Sequence, residues 1–145
     1  MKPSITIALW LGFLAGCQAP KNQQPKPENF VPIVFHAYIG GHFGPSYDVA
    51  FIPPSKVRYT AFDRGEKKVE EFSIPMDYWE GVRFRLDQAG VFKWKNKYRN
   101  KDISDGTQWS FEVKYKDKEK KIFGDNAYPE YGEFKEFLSM VSDLA

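Results

Sequence analysis

Apolar and polar positions alternate with a period of two along much of this 145-residue chain. Ile33, Phe35, Ala37 and Ile39 alternate with Val34, His36 and Tyr38, which predicts a first strand. Gly40-Gly41-His42-Phe43-Gly44-Pro45 breaks it. Tyr47, Val49 and Phe51 alternate with Asp48 and Ala50 in a second strand. Pro53-Pro54-Ser55 turns the chain, and Val57, Tyr59 and Ala61 mark a third. Asp63-Arg64-Gly65 is a turn signal, and Lys67 to Ser73 follows as a short edge strand. The period then changes. Beyond Pro75, Trp79, Val82, Leu86 and Ala89 share one face of a helix that Gly90 ends. Gln108 to Tyr115 is the cleanest strand, with Trp109, Phe111, Val113 and Tyr115 facing one way. Asp117-Lys118 turns it into Lys120 to Phe123. After Pro129, residues Phe134, Phe137, Leu138, Val141 and Leu144 form a last amphipathic helix. The order predicts an α+β fold: a two-layer domain with an antiparallel sheet of hairpins and two amphipathic helices packed on one face.

The two ends of the chain differ in kind. Met1-Lys2 precedes a ten-residue, mostly apolar run, Ile5 to Leu14. A membrane-spanning helix needs about 20 such residues, so the run reads as a secretory leader rather than a span. Gln18 to Asn29 has three prolines and no large apolar side chain. Such a stretch buries too little to fold and reads as a semi-rigid tether. From Phe30 to Ala145 the chain reads as one domain. Beyond residue 16 only three leucines remain, Leu86, Leu138 and Leu144, and the apolar mass is aromatic and β-branched, which suits a sheet.

Charge and cysteine count narrow the field. The formal net charge is +2, too small to argue for nucleic acid. Lys2 would leave with the leader, and 20 basic residues would then face 19 acidic ones. Cys17 is the single cysteine, which excludes an intrachain disulfide and a cysteine-based zinc cluster.

Leu14-Ala15-Gly16-Cys17 resembles the lipobox of bacterial lipoproteins. That resemblance implies cleavage after Gly16 and a mature chain beginning at Cys17, whose sulfur carries a diacylglycerol. Residue 18 is Gln rather than Asp, which by the family's sorting rule points to the outer membrane if the cell is Gram-negative. The expected partner is therefore the membrane, through lipid on Cys17, and the expected location is the cell envelope.

Several constellations invite chemistry and fail on spacing. Gly40 to Pro45 is glycine-rich, but a strand rather than a helix follows it, and no lysine is present. His36 and His42 are the only histidines, short of the three or four ligands zinc takes, so no metal and no cofactor are expected. Asp102 to Gly106 fits neither register of a calcium loop and reads as a turn entering the Trp109 strand. Ser46 lacks the second glycine of a nucleophile elbow. Glu70 and Glu71 point to opposite faces of a strand. No catalytic residue is expected, and the chain is not expected to be an enzyme.

The most suggestive segment is Lys93 to Lys101. If extended, it puts Lys93, Lys95, Lys97, Arg99 and Lys101 on one face, and Trp94, Asn96 and Tyr98 on the other. Such a face suits an anionic surface, and in an exported chain that means headgroups or wall polymer rather than nucleic acid. The candidate partner contacts are Lys93, Lys95, Lys97 and Arg99, with His42 and Phe43 of the glycine-rich loop.

Trp94, Asp105-Gly106-Thr107 with Trp109, Gly124 with Asn126-Ala127-Tyr128-Pro129, and Phe134 and Phe137 together resemble a small bacterial domain found in lipoproteins and in cytosolic chains. More distantly, Gly40-Gly41-His42-Phe43-Gly44 with Tyr47 resembles the glycine-rich opening of a strand-rich family. Neither resemblance implies an activity. The function expected is that of a non-catalytic binding or interaction module, whose partner is an envelope protein or an anionic wall polymer. The alternative is an inhibitor or immunity lipoprotein that presents the Gly40 to Pro45 loop to a hostile enzyme or toxin.

Overall fold

A computed structural model of the chain describes residues 29–41 and 44–144. The expectations that fall on Cys17, His42 and Phe43 lie outside the described residues. Seven strands form one sheet. They are β1 (Val34–Gly41), β2 (Ser46–Ile52), β3 (Lys56–Asp63), β4 (Glu66–Ser73), β5 (Lys97–Arg99), β6 (Thr107–Lys114) and β7 (Glu119–Asp125). The helices are α1 (Tyr78–Gln88) and α2 (Tyr131–Ser142), and Val91–Lys93 forms a 3-10 turn. Across the sheet the strands run β4-β3-β2-β1-β6-β7-β5.

The alternating residues of β1, β2, β3 and β6 place Phe35, Ala37, Val49, Phe51, Val57, Trp109, Phe111 and Val113 in the core. Register makes these one face: Phe35 pairs with Val113, Ala37 with Phe111 and Val49, and Phe51 with Val57. Ile33 is the exception, half exposed just before β1 begins. The helices supply the complementary apolar stripes. Trp79 of α1 meets Phe51 and Phe35 edge-on, at 5.0 and 5.5 Å between ring centroids. Phe137 of α2 meets Phe111 at 4.8 Å. Two local devices set the chain's turns. Arg64 and Gly65 both have positive φ, 49° and 86°, the backbone of a two-residue hairpin turn between β3 and β4. Gly90, at φ 69°, ends α1 where the periodicity predicts.

The sheet is mixed, which corrects the expectation of a wholly antiparallel one. β5 pairs parallel with β7, matching Lys97, Tyr98 and Arg99 to Phe123, Gly124 and Asp125. The cause is the connection. The chain reverses between β5 and β6, and β7, antiparallel to β6, lies between them. The second correction concerns Lys93 to Lys101. Only Lys97–Arg99 is strand; Lys93 ends the 3-10 turn, and Trp94 is buried. The five cations therefore do not share one strand face.

Candidate functional site

Two adjoining hollows beside α2 form a groove. Ile39 of β1 and Leu138 of α2 line both halves. One half, about 550 Å³, is lined by Thr107, Tyr128, Pro129, Tyr131 and Phe134. The other, about 470 Å³, is lined by Tyr47, Val49, Tyr59, Val141 and Ser142. These volumes are in the range of small-ligand and side-chain pockets. Among the described residues, no charged side chain lines either half.

Four tyrosines border the groove, and local structure explains each. Tyr47 and Tyr59 occupy core-facing positions of β2 and β3, next to the buried Val49 and Val57, and share a hollow with Leu138, Val141 and Ser142 of α2. Their rings stack at 6.1 Å, nearly parallel at 18°. Burial, then the neighbouring Tyr47 and Glu70, raise the Tyr59 pKa above the usual phenol value, so its hydroxyl stays protonated and can donate. Tyr128 packs on Phe134 at 5.0 Å. Tyr131, the first residue of α2, is 80% exposed. Each presents an apolar ring with a polar tip, the chemistry that recurs at recognition surfaces.

Of the residues that carry the domain resemblance, Thr107, Tyr128, Pro129 and Phe134 line the groove, while Trp109, Gly124, Gly106 and Asn126 are architectural. Trp109 is fully buried and donates its Nε1–H to the Ala127 carbonyl at 3.0 Å. Gly124, its cross-strand partner, leaves space for the indole, because a Cβ there would collide with it. Gly106 leaves space for the Asn126 side chain, and Gly41 for the Gly106 carbonyl. Asn126 takes a positive φ of 52° and donates its backbone N–H to the Thr107 carbonyl at 2.9 Å. Gly40 packs against Ser46 and the Tyr38 hydroxyl. These glycines serve close approach of backbone and side chains.

The basic segment divides. Lys93 and Lys95 line an adjoining hollow of about 560 Å³, which shares Tyr128 and Pro129 with the groove and also holds Asp87, Glu130 and Glu133. Glu133 also accepts the Trp94 Nε1–H at 2.8 Å. Arg99 pairs with Asp125 at 3.4 Å. Lys97 lies exposed on β5. His36 sits on the opposite sheet face from the core, with Nε2 2.6 Å from Asp48 Oδ2. Among the described residues, no group of three or more His, Cys, Asp or Glu side chains could hold a metal. Among those same residues, no helix is long and apolar enough to cross a membrane.

No protein-family model and no curated protein matches the chain. The groove escaped sequence reasoning because its residues come from β1, β2, β3, β6, the approach to α2 and α2 itself. One signal was present. Tyrosine stands at inward positions 47 and 59, where the neighbouring inward positions 49 and 57 carry valine.

Proposed function

We propose that this chain is a lipid-anchored envelope protein that works by binding rather than by catalysis. Its two-layer domain, with hairpins below and both helices on one face, holds the tyrosine-bordered groove open beside α2. The partner is an envelope protein that lays an apolar or aromatic segment into the groove. An uncharged lining with hydroxyl tips favours a peptide segment over an anionic wall polymer, which would call for unpaired cations. The lipobox-like Leu14-Ala15-Gly16-Cys17 supports attachment to the membrane through lipid on Cys17, in the outer membrane if the cell is Gram-negative.

The groove is the observation that carries this reading. A photo-crosslinking residue at Leu138 or Tyr131 tests it against one at Lys97. Crosslinks to one envelope protein from the groove positions, lost with Tyr47→Ala, support the reading. Crosslinks from Lys97 alone return the binding surface to the basic segment and overturn it. If the captured protein is a hydrolase or toxin that the chain inhibits, the module is an immunity lipoprotein.

A further inference from the structure

We propose that β4 is a self-pairing edge, through which two copies of this chain join antiparallel and continue the sheet. β4 ends the sheet, and no described residue pairs with its outer side. It is eight residues long, with neither proline nor glycine. An open edge of this kind templates another strand unless it is blunted, and charge is the only blunting device present.

The charges, paired within one copy as Lys68–Glu70 at 2.5 Å and Arg58–Glu71 at 2.8 Å, are arranged so that they also attract a second copy. Lys67-Lys68-Val69-Glu70-Glu71 is complementary to itself when run antiparallel. With Val69 opposite Val69 of the second copy, Lys68 faces Glu70 and Lys67 faces Glu71, each twice by the two-fold symmetry. Slipping the register by two residues either way sets Lys68 on Lys68 or Glu70 on Glu70. Parallel in-register pairing sets every charge on its like. Attraction therefore selects one register and one direction.

The backbone agrees. In a two-residue hairpin the flanking pair, here Asp63 and Glu66, exchanges hydrogen bonds, and bonded pairs alternate from there. The N–H and C=O groups of Lys67, Val69 and Glu71 consequently point away from β3. These three positions meet one another in the proposed register and close about six inter-chain hydrogen bonds. Val69, 47% exposed, would bury its side chain on the symmetry axis.

Two full-length copies with different tags, co-expressed and extracted in detergent, provide the test. Wild-type copies are expected to co-purify. The K67E/K68E chain and the E70K/E71K chain should each lose self-pairing by at least tenfold, since each would face like charges at all four positions. Mixed together, the two variants should pair again, which also shows that both are folded. Absence of wild-type co-purification overturns the proposal. So does a variant that pairs with itself as well as wild type does, or a mixed pair that fails to recover.

Discussion

Trp109 and Gly124 face each other across β6 and β7, and the indole occupies the space where a side chain on residue 124 would stand. The ring is then boxed in by Phe134 at 4.8 Å and Tyr98 at 5.9 Å, and its N–H is used by the Ala127 carbonyl. Gly124→Ala should therefore cost about 1–3 kcal/mol through overpacking. Trp109→Ala should cost about 3–5 kcal/mol through the cavity it leaves. Urea titration of the three chains checks both. A Gly124→Ala chain as stable as wild type would mean that the indole can move aside.

Arg83 ties the start of the described chain to the turn after β6. Its guanidinium lies over the Tyr115 ring at 4.7 Å and bonds both Asp117 oxygens, at 2.9 and 2.5 Å. It also donates to the Asn29 carbonyl at 2.9 Å. The hydrogen bonds from Arg83, foremost, hold the Asp117 carboxyl below the usual carboxylate range. The folded-state pKa is thus lower than the unfolded one. The pair's contribution is complete above about pH 4 and fades as pH falls through the folded value. Asp117 is more than half exposed, so solvent screening keeps the effect small. Asp117→Asn should lower stability slightly at pH 7, and the gap from wild type should close below about pH 4. Urea midpoints from pH 2 to 7 measure it. A gap that stays constant with pH would remove the carboxylate from the account.

Much of this architecture is legible in the sequence, because strand faces and helix stripes are local properties. Phe35, Val49, Val57, Phe111 and Val113 are buried where the alternation puts them, and Trp79, Val82 and Leu86 where the helical period does. Lys93 to Lys101 shows where local reading ends. Its alternation is genuine, yet Trp94 is drawn under α2 by Phe137 at 5.7 Å and by Glu133. Gly90 and the 3-10 turn break the extension first, so only three residues remain for β5. The parallel pairing of β5 and the groove beside α2 both arise from connections between distant segments, which no period along the chain encodes.

Tyr115 is buried with its hydroxyl unpaired among the described residues. Burial pushes its phenol pKa far above the usual value, so the group is neutral at every ordinary pH. An unpartnered buried hydroxyl costs stability, and deleting it leaves the ring packing against Phe92 and Arg83 intact. Tyr115→Phe should be as stable as wild type or up to about 1 kcal/mol more so. Thermal unfolding checks this. A loss of stability would reveal a hydrogen-bond partner for the hydroxyl.

The proposed compartment rests on Cys17, and the mass of the purified native protein tests it directly. If Leu14-Ala15-Gly16-Cys17 acts as a lipobox, the product begins at residue 17 and carries the added mass of acyl chains. Each buried methylene adds about 0.8 kcal/mol, so two or more chains give stable anchoring, whereas a single chain binds only marginally. Cys17→Ser removes the one sulfur that can take the lipid and should abolish the acyl mass. A native product that keeps its first sixteen residues, or one whose residue 17 bears no acyl group, would detach the chain from the membrane. The groove's partner would then have to be sought among exported proteins rather than at a membrane surface.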